Sequence, residues 1–417
     1  MNLGRQLEEY LPPQLLSLAQ NVSREAGRQG EGVYIVGGIV RDLLLGCPNV
    51  DLDLVVEGDA VKLAKRMAET SEVRLLAHHR FGTAKLGYRN FTADLATARK
   101  ETYPRPGALP VVAPGTLNDD LIRRDFSVNA MAISLSANDY GALVDLYEGR
   151  SDLEHGLIRI LHSNSFKDDA TRILRGVRYE QRFGFKFEAQ TARLLNRDIP
   201  MLDVISGDRV RHELELIFKE ERPELAVRRL GELGVLSRIG PALAGDGSIA
   251  ERFSEARRLE KPAQLPSLYF CLLVYASGED DVERLLTRLN MPARLSKAIR
   301  DTLQLRAKLR LIHKHDLRPS DIYALLQEYD AVATQANAIA SDSPIVRRNL
   351  RLFLTKLRYI KTSLDGEELK GLGVPPGPQM GEVLRMLHKA KLDGEVHSKA
   401  DEEKLARAIY ENQKDGR

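Results

Sequence analysis

Two aspartates stand two residues apart in a run that is otherwise apolar, Asp51 and Asp53 in DLDLVV. On a strand, alternate residues point to the same face. Two carboxylates side by side in such a run repel each other and lose hydration, so without a cation the pKa of one of them rises. Hard divalent ions such as Mg²⁺ take oxygen ligands and commonly use a few carboxylates plus substrate phosphates. A third acid, Asp94, interrupts a second strand-like run, FTADLA. Three acids on adjacent strands can hold two Mg²⁺ for in-line nucleotidyl transfer, one ion activating a hydroxyl and one stabilising the leaving pyrophosphate. An isolated Asp-x-Asp has a plainer reading as well. Asp51 follows a Pro-Asn turn and Asp53 then simply faces solvent.

The surroundings favour the chemical reading. Gly37 and Gly38 fall where VYIV ends and IVRDLLLG begins. Glycines at a strand-to-helix turn let backbone amides approach a phosphate closely, and the helix N-terminus adds a favourable dipole. Arg41 lies one turn into that helix, placed to donate to a triphosphate. Asp42 is suited to a local cap or pair.

The elements that position these residues read as α/β. VYIVGG, DLDLVV, AKLGY, FTADLA and MAISL are short runs rich in branched residues, with a helical VKLAKRMAE between two of them. Beyond about Leu153 the spacing becomes three-to-four, as in ATRILRGVRYEQRFGF, VRHELELIFKE and AVRRLGELGVL, so the rest reads as helical. The Pro- and Gly-rich stretch between Asp94 and Arg123 reads as a mobile loop beside the site, with residues 99–118 at its centre. His78 and His79 read as a loop entering RFGTAKL.

The 417 residues carry a net charge of +3, which permits nucleic-acid binding without demanding it. Tryptophan is absent and aromatics make up 6%, against a surface of stacking platforms for bases. The two cysteines, Cys47 and Cys271, have no metal-type spacing and read as free thiols in a reducing cytosol. No signal-peptide core and no apolar run near the roughly 20 residues of a membrane span is visible. A cytoplasmic protein without membrane contact is expected.

GGIVRDLLLG followed by DLDL resembles the polymerase-β-type nucleotidyltransferases that build the 3′ CCA end of tRNA, in their bacterial and eukaryotic class. RRDFSVNAMA (from Arg123) and DDATRILRGVRYEQRFGF (from Asp168) resemble two further signatures of that family. The resemblance covers at least Val33 to Gly184. It implies an α/β nucleotidyltransferase head, a small mixed sheet with helices, followed by an all-α neck, body and tail. The corresponding divisions are residues 1–150, 151–220, 221–330 and 331–417, the last of them tRNA-binding. It implies Mg²⁺ as cofactor, CTP and ATP as substrates and the tRNA 3′ end as partner. It also implies that Arg123 or Arg124 contacts the nucleotide, the plainer reading being an ion pair between one of them and Asp125. Asn129 reads as structural, bonding backbone at a strand start.

Asp169 and Arg172 are the most informative pair. Three residues apart on a helix, they share a face. A carboxylate accepts and a guanidinium donates. A base edge that satisfies both presents a donor beside an acceptor, as cytosine and adenine do and uracil and guanine do not. The mismatch leaves buried groups unpaired and discriminates by orders of magnitude. The plainer reading is an i,i+3 salt bridge on a solvated face. The family's usual leading Glu is Asp168 here, which leaves the two base-reading positions intact. Arg175 and Arg178 continue the spacing with poor four-residue carboxylate partners, and read as an unpaired basic stripe for phosphate or base. Basic clusters at 294–314 and 347–361 suit an RNA backbone. The resemblance leaves full CCA, CC-only and A-only addition open, with full CCA taken on general frequency. A poly(A) polymerase and a silent RNA-binding protein are the alternatives.

Overall fold

The computed structural model describes residues 1–417 apart from 71, 80–81, 244–246, 260–263 and 416–417. The chain divides into two compact units, Met1–Ile239 and Gly240–Arg417.

The first unit is built on a mixed sheet. Its strands are β1 (Val33–Val36), β2 (Leu52–Val56), β3 (Arg74–His79), β4 (Thr83–Tyr88), β5 (Phe91–Thr97), β8 (Met131–Ser134) and β9 (Leu143–Asp145), in the order β3-β4-β5-β2-β1-β8-β9. A separate hairpin, β6 (Arg99–Thr102) with β7 (Val111–Pro114), stands between β5 and β8 in sequence. The five expected strand runs are all strands. β2 is central because its residues are apolar on both faces: Leu52, Leu54, Val55 and Val56 are all buried. It runs antiparallel to β1 and parallel to β5. The parallel register sets Asp53 opposite Asp94, so sequence alternation and strand pairing together bring those two acids side by side.

Two sequence expectations change. Part of the stretch 99–118 is a hairpin: the β-branched Val111 and Val112 pair with Thr102 and Glu101, residues 103–110 connect the two strands, and the prolines sit in that connection and at the strand end. His78 and His79 belong to β3, paired with Ala84 and Thr83, rather than to a loop.

In the same unit, the Thr171–Phe183 helix packs against the helices Gly207–Ile217 and Pro223–Glu232 and ends in Gly184 at φ +68. Gly176 within it has a packing reason. A Cβ there would come within 2.8 Å of the Phe187 ring and 2.9 Å of Phe126, so only glycine lets the helix approach this closely.

Every described element of the second unit is helical. One core gathers Leu305, Leu326, Leu350 and Phe353; another gathers Leu369, Val383, Leu387 and Ala406. Glu402, fully buried, accepts from the amides of Ser363 and Leu364 and pairs with Lys391 at 2.5 Å. Many of its basic residues already have carboxylate partners: Lys297 with Asp301, Arg300 with Glu283, and both Arg347 and Arg351 with Glu255.

Candidate nucleotidyl-transfer site

Asp51, Asp53 and Asp94 converge. One oxygen from each lies within 4.8 Å of the others. Asp51 stands one residue before β2, its amide donating to Asn49 Oδ1 at 2.8 Å, so the Asn49 turn rather than the strand sets its position. Asp53 is partly buried within β2, and Asp94 projects from β5 with Lys85 Nζ at 2.7 Å. The pKa of Asp53 is pushed up to about 6. Burial is the main cause, Asp51 adds to it and Asp94 adds less, while Arg124 and Lys85 oppose it. The expected direction holds, with desolvation ahead of repulsion as its cause. An all-carboxylate set with a partly exposed opening fits a hard divalent ion.

Asp51 and Asp53 open onto a cleft of about 980 Å³ within the first unit. Gly37 forms one edge. Its φ of +80 and ψ of −143 turn the chain from β1 into the Gly38–Leu45 helix. A Cβ at this position would lie 3.0 Å from Arg124 Nη1 and 3.5 Å from Asp53 Oδ2, so the glycine leaves room for an arginine against the acids. Arg124 donates to Asp120 at 2.9 Å, and its Nε is buried without an acceptor.

Arg41 lines the same cleft but is only 4% exposed. Its guanidinium donates to Asp42 at 2.9 and 3.0 Å and to Asn129 Oδ1 at 2.6 Å, and lies over the rings of Tyr179 and Phe183. Asn129 is structural as expected: its amide donates to the Phe126 carbonyl at 3.0 Å, and its side chain bonds Arg41 on one side and Asp125 on the other. Arg123 donates to Asp120 at 2.6 Å and to Glu101 at 3.2 Å. Asp125 pairs with neither adjacent arginine. Its partner is Arg175, fifty residues on, at 2.7 and 2.8 Å.

Asp169 and Arg172 both line the cleft, but not as helix neighbours. Asp169 is extended (φ −144, ψ 97) and the helix begins at Thr171. Nor do they pair with each other. Asp169 Oδ1 accepts from the amide and hydroxyl of Thr171 at 3.0 and 2.6 Å, and Oδ2 accepts from Arg209 at 2.6 Å. Arg172 gives its donors to two neutral oxygens, Ser165 Oγ at 2.5 Å and the Arg123 carbonyl at 2.6 Å. The plain i,i+3 salt bridge is absent.

The unpaired stripe is corrected. Arg175 is held by Asp125 and Glu213; Arg178, 7% exposed, is held by Glu213 and Glu220. A four-residue window cannot find such partners because Asp125 lies fifty residues upstream and the two glutamates come from the Gly207–Ile217 helix and the turn after it. Sequence reasoning also missed Arg209 on that helix, and Glu101 and Tyr103 on the hairpin. Glu101 accepts from Arg99, Arg123 and Tyr103, and Tyr103 lines the cleft. The clue to Arg209 was the spacing of Asp208, Arg209, His212 and Glu213, which puts four polar residues on one face of the helix, the face that lines the cleft.

Two family models match: the poly(A) polymerase head domain over residues 33–159, and a probable RNA and SrmB-binding site of polymerase A over 184–246. An A-adding tRNA nucleotidyltransferase of Halalkalibacterium halodurans is 34% identical, over 95% of this chain and 92% of that protein. Another protein of that name, from Geobacter sulfurreducens, is 33% identical over 96% of this chain, which spans 48% of that relative's length. A solved CCA-adding enzyme, apo form II, superposes with a TM-score of 0.82 at 30% identity, over 98% of this chain and 99% of that one. With a cleft of this construction and likeness along nearly its whole length, the chain belongs to the tRNA nucleotidyltransferase family, which carries the poly(A) polymerase head domain.

Proposed function

We propose that this protein adds nucleotides to the 3′ end of tRNA without a nucleic-acid template, taking C from CTP and A from ATP. One observation carries the reading: two carboxylates of the acidic triad and the Asp169/Arg172 pair line a single cleft. A nucleotide spanning it has its triphosphate at the acids and its base at the pair.

Asp51 and Asp53 would hold Mg²⁺ with Asp94 beside them. When bound, the ion supplies Lewis-acid activation of the attacking hydroxyl and neutralises charge on the pyrophosphate. The terminal tRNA hydroxyl attacks the α-phosphorus, the new phosphodiester forms and pyrophosphate leaves. Asp94, closest to a cation in Lys85, sits to orient the hydroxyl. The amides at Gly37 and Gly38 and the guanidinium of Arg124 receive the phosphates. Arg41, itself on the glycine-bearing helix, ties that helix to Asn129. Arg123 holds the carbonyl that fixes Arg172. Asp169 accepts the exocyclic amino group and Arg172 donates to the neighbouring ring nitrogen. Arg175 and Arg178 support the wall by neutralising Asp125 and Glu213. We assign catalysis to 1–150, base reading to 151–220, a body to 221–330 and tRNA binding to 331–417, in a cytoplasmic protein.

A-only addition is a second reading, favoured by the two relatives named A-adding. The edge chemistry of Asp169 and Arg172 admits both bases and does not choose. One gel decides: tRNA ending before CCA, in C, or in CC, each with CTP alone, ATP alone and both. Full addition extends all three; A-only extends just the last, with ATP. Uptake of UTP or GTP as readily as the cognate nucleotide sinks the base-reading assignment. Asp53→Ala should lose turnover and keep its fold; retained turnover refutes the metal assignment.

A further inference from the structure

Asp169 can select a base only if its carboxylate is held in one orientation. A side chain free to turn about its last torsion can tilt away from a carbonyl that faces it, which removes the acceptor-against-acceptor conflict that excludes uracil and guanine. Something must fix it. Thr171 occupies Oδ1 from within the same turn. Oδ2 is held by a residue forty positions away, Arg209, at 2.6 Å. Both residues line the cleft, and the arginine side chain is 31% exposed and reachable by a ligand.

We infer that Arg209 is a specificity-determining positioning residue: it anchors Asp169 Oδ2 so that this carboxylate presents a fixed acceptor to the incoming base. The inference rests on the base-reading role given to Asp169 above. A carboxylate oxygen carries two lone pairs. With Arg209 on one, the other remains for the exocyclic amino group of cytosine or adenine. The charged pair is strong and directional, so the carboxylate plane is set before the nucleotide arrives. Arg209 acts through Asp169 and carries no chemistry of its own. Its helix, Gly207–Ile217, also supplies Glu213, which braces Arg175 and Arg178. The arginine wall and the reader of the base pocket are therefore both braced by one element.

The test compares wild type, Arg209→Met, Arg209→Lys and Asp169→Ala. The measurement is kcat/KM for whichever of CTP and ATP the wild type incorporates, and for UTP and GTP, on a tRNA with the matching 3′ end. In Arg209→Met the ratio of cognate to UTP should fall about tenfold or more, with Arg209→Lys, which keeps a cation at the carboxylate, recovering most of it. Loss of activity with the ratio unchanged makes Arg209 a structural brace and overturns the inference. So does an unchanged ratio with unchanged activity. If Arg209→Met does not fold, judged by thermal melting, Arg209→Gln carries the same measurement. Asp169→Ala separates the two levels. If it keeps full discrimination, the base-reading assignment itself fails; if it loses discrimination while the Arg209 variants keep theirs, only the anchoring role fails.

Discussion

Replacing Arg175 with Met tests whether that arginine serves the substrate or the wall. Asp125 is 8% exposed. Its Oδ1 accepts from the Phe126 amide and from Asn129, and its Oδ2 accepts only from Arg175 Nε and Nη2. Burial alone would raise the carboxyl, but Arg175 and Asn129 outweigh it and hold Asp125 below the usual range. Arg175→Met strands Oδ2 and leaves a buried charge uncompensated, a loss of about 3–5 kcal/mol. Asp125→Asn keeps the Oδ1 bonds in part and leaves Arg175 with Glu213, so it should cost about 1–2 kcal/mol. The double variant should recover part of the sum, a coupling of about 2 kcal/mol. Urea unfolding followed by circular dichroism reads these values, with two transitions fitted if the units melt separately. The sign with pH is fixed by the lowered pKa. The contribution of Asp125 is present above the unfolded carboxyl value of about 3.9 and disappears as pH falls toward the lower folded value. Arg175→Met should therefore flatten the acid limb of the stability profile. A loss under about 1 kcal/mol, together with collapsed nucleotide binding, would return Arg175 to the substrate and refute the wall.

Asp53→Asn should stabilise the metal-free protein. The raised pKa means that the stabilising contribution of Asp53 is present below the unfolded value and lost as pH rises through about 6, so at pH 7.5 the relief is at most about 3 kcal/mol. A melting temperature that rises in the variant, and a Mg²⁺-induced rise that only the wild type shows, is the expected result; a fall in the metal-free melt contradicts it. Glu402→Ala removes a fully buried acceptor of two amides and the partner of Lys391, for a loss of about 3 kcal/mol or more in the second unit. Hydrogen exchange should quicken around residues 363–364 and 391, and unchanged exchange there would contradict the assignment.

The difference between what was legible and what was not follows the range of each interaction. Gly37, Asp53 and the helix after Gly38 were readable because strand alternation and helix starts are local. Asp94 was readable as a third acid, although its place opposite Asp53 depends on a parallel pairing that no local pattern states. The hairpin at 99–114 was obscured by its prolines, which sit in the turn and at the end where pairing tolerates them. The arginines were the hardest. Arg175, Arg178 and Asp169 each find partners 35 to 50 residues away, and charge pairing over that range is set by tertiary packing.

That pairing has a consequence for selectivity. A cleft lined by free arginines would hold any polyphosphate or RNA strand by charge alone. Here Arg41, Arg123, Arg175 and Arg178 are each tied to a carboxylate, so they give shape with little net attraction. Donor capacity is left beside the acids, where Arg124 keeps a buried Nε without an acceptor, and beside Asp169, where Arg172 is bonded only to neutral oxygens; Arg178 in the wall also keeps a buried Nε without an acceptor. Under the proposed function, an incoming nucleotide gains most by meeting both together, its phosphates at one end and its base edge at the other. A phosphate alone satisfies the first and a base alone the second. On that proposal, binding energy goes to the combination, which is what a polymerase without a template requires to tell one nucleotide from another.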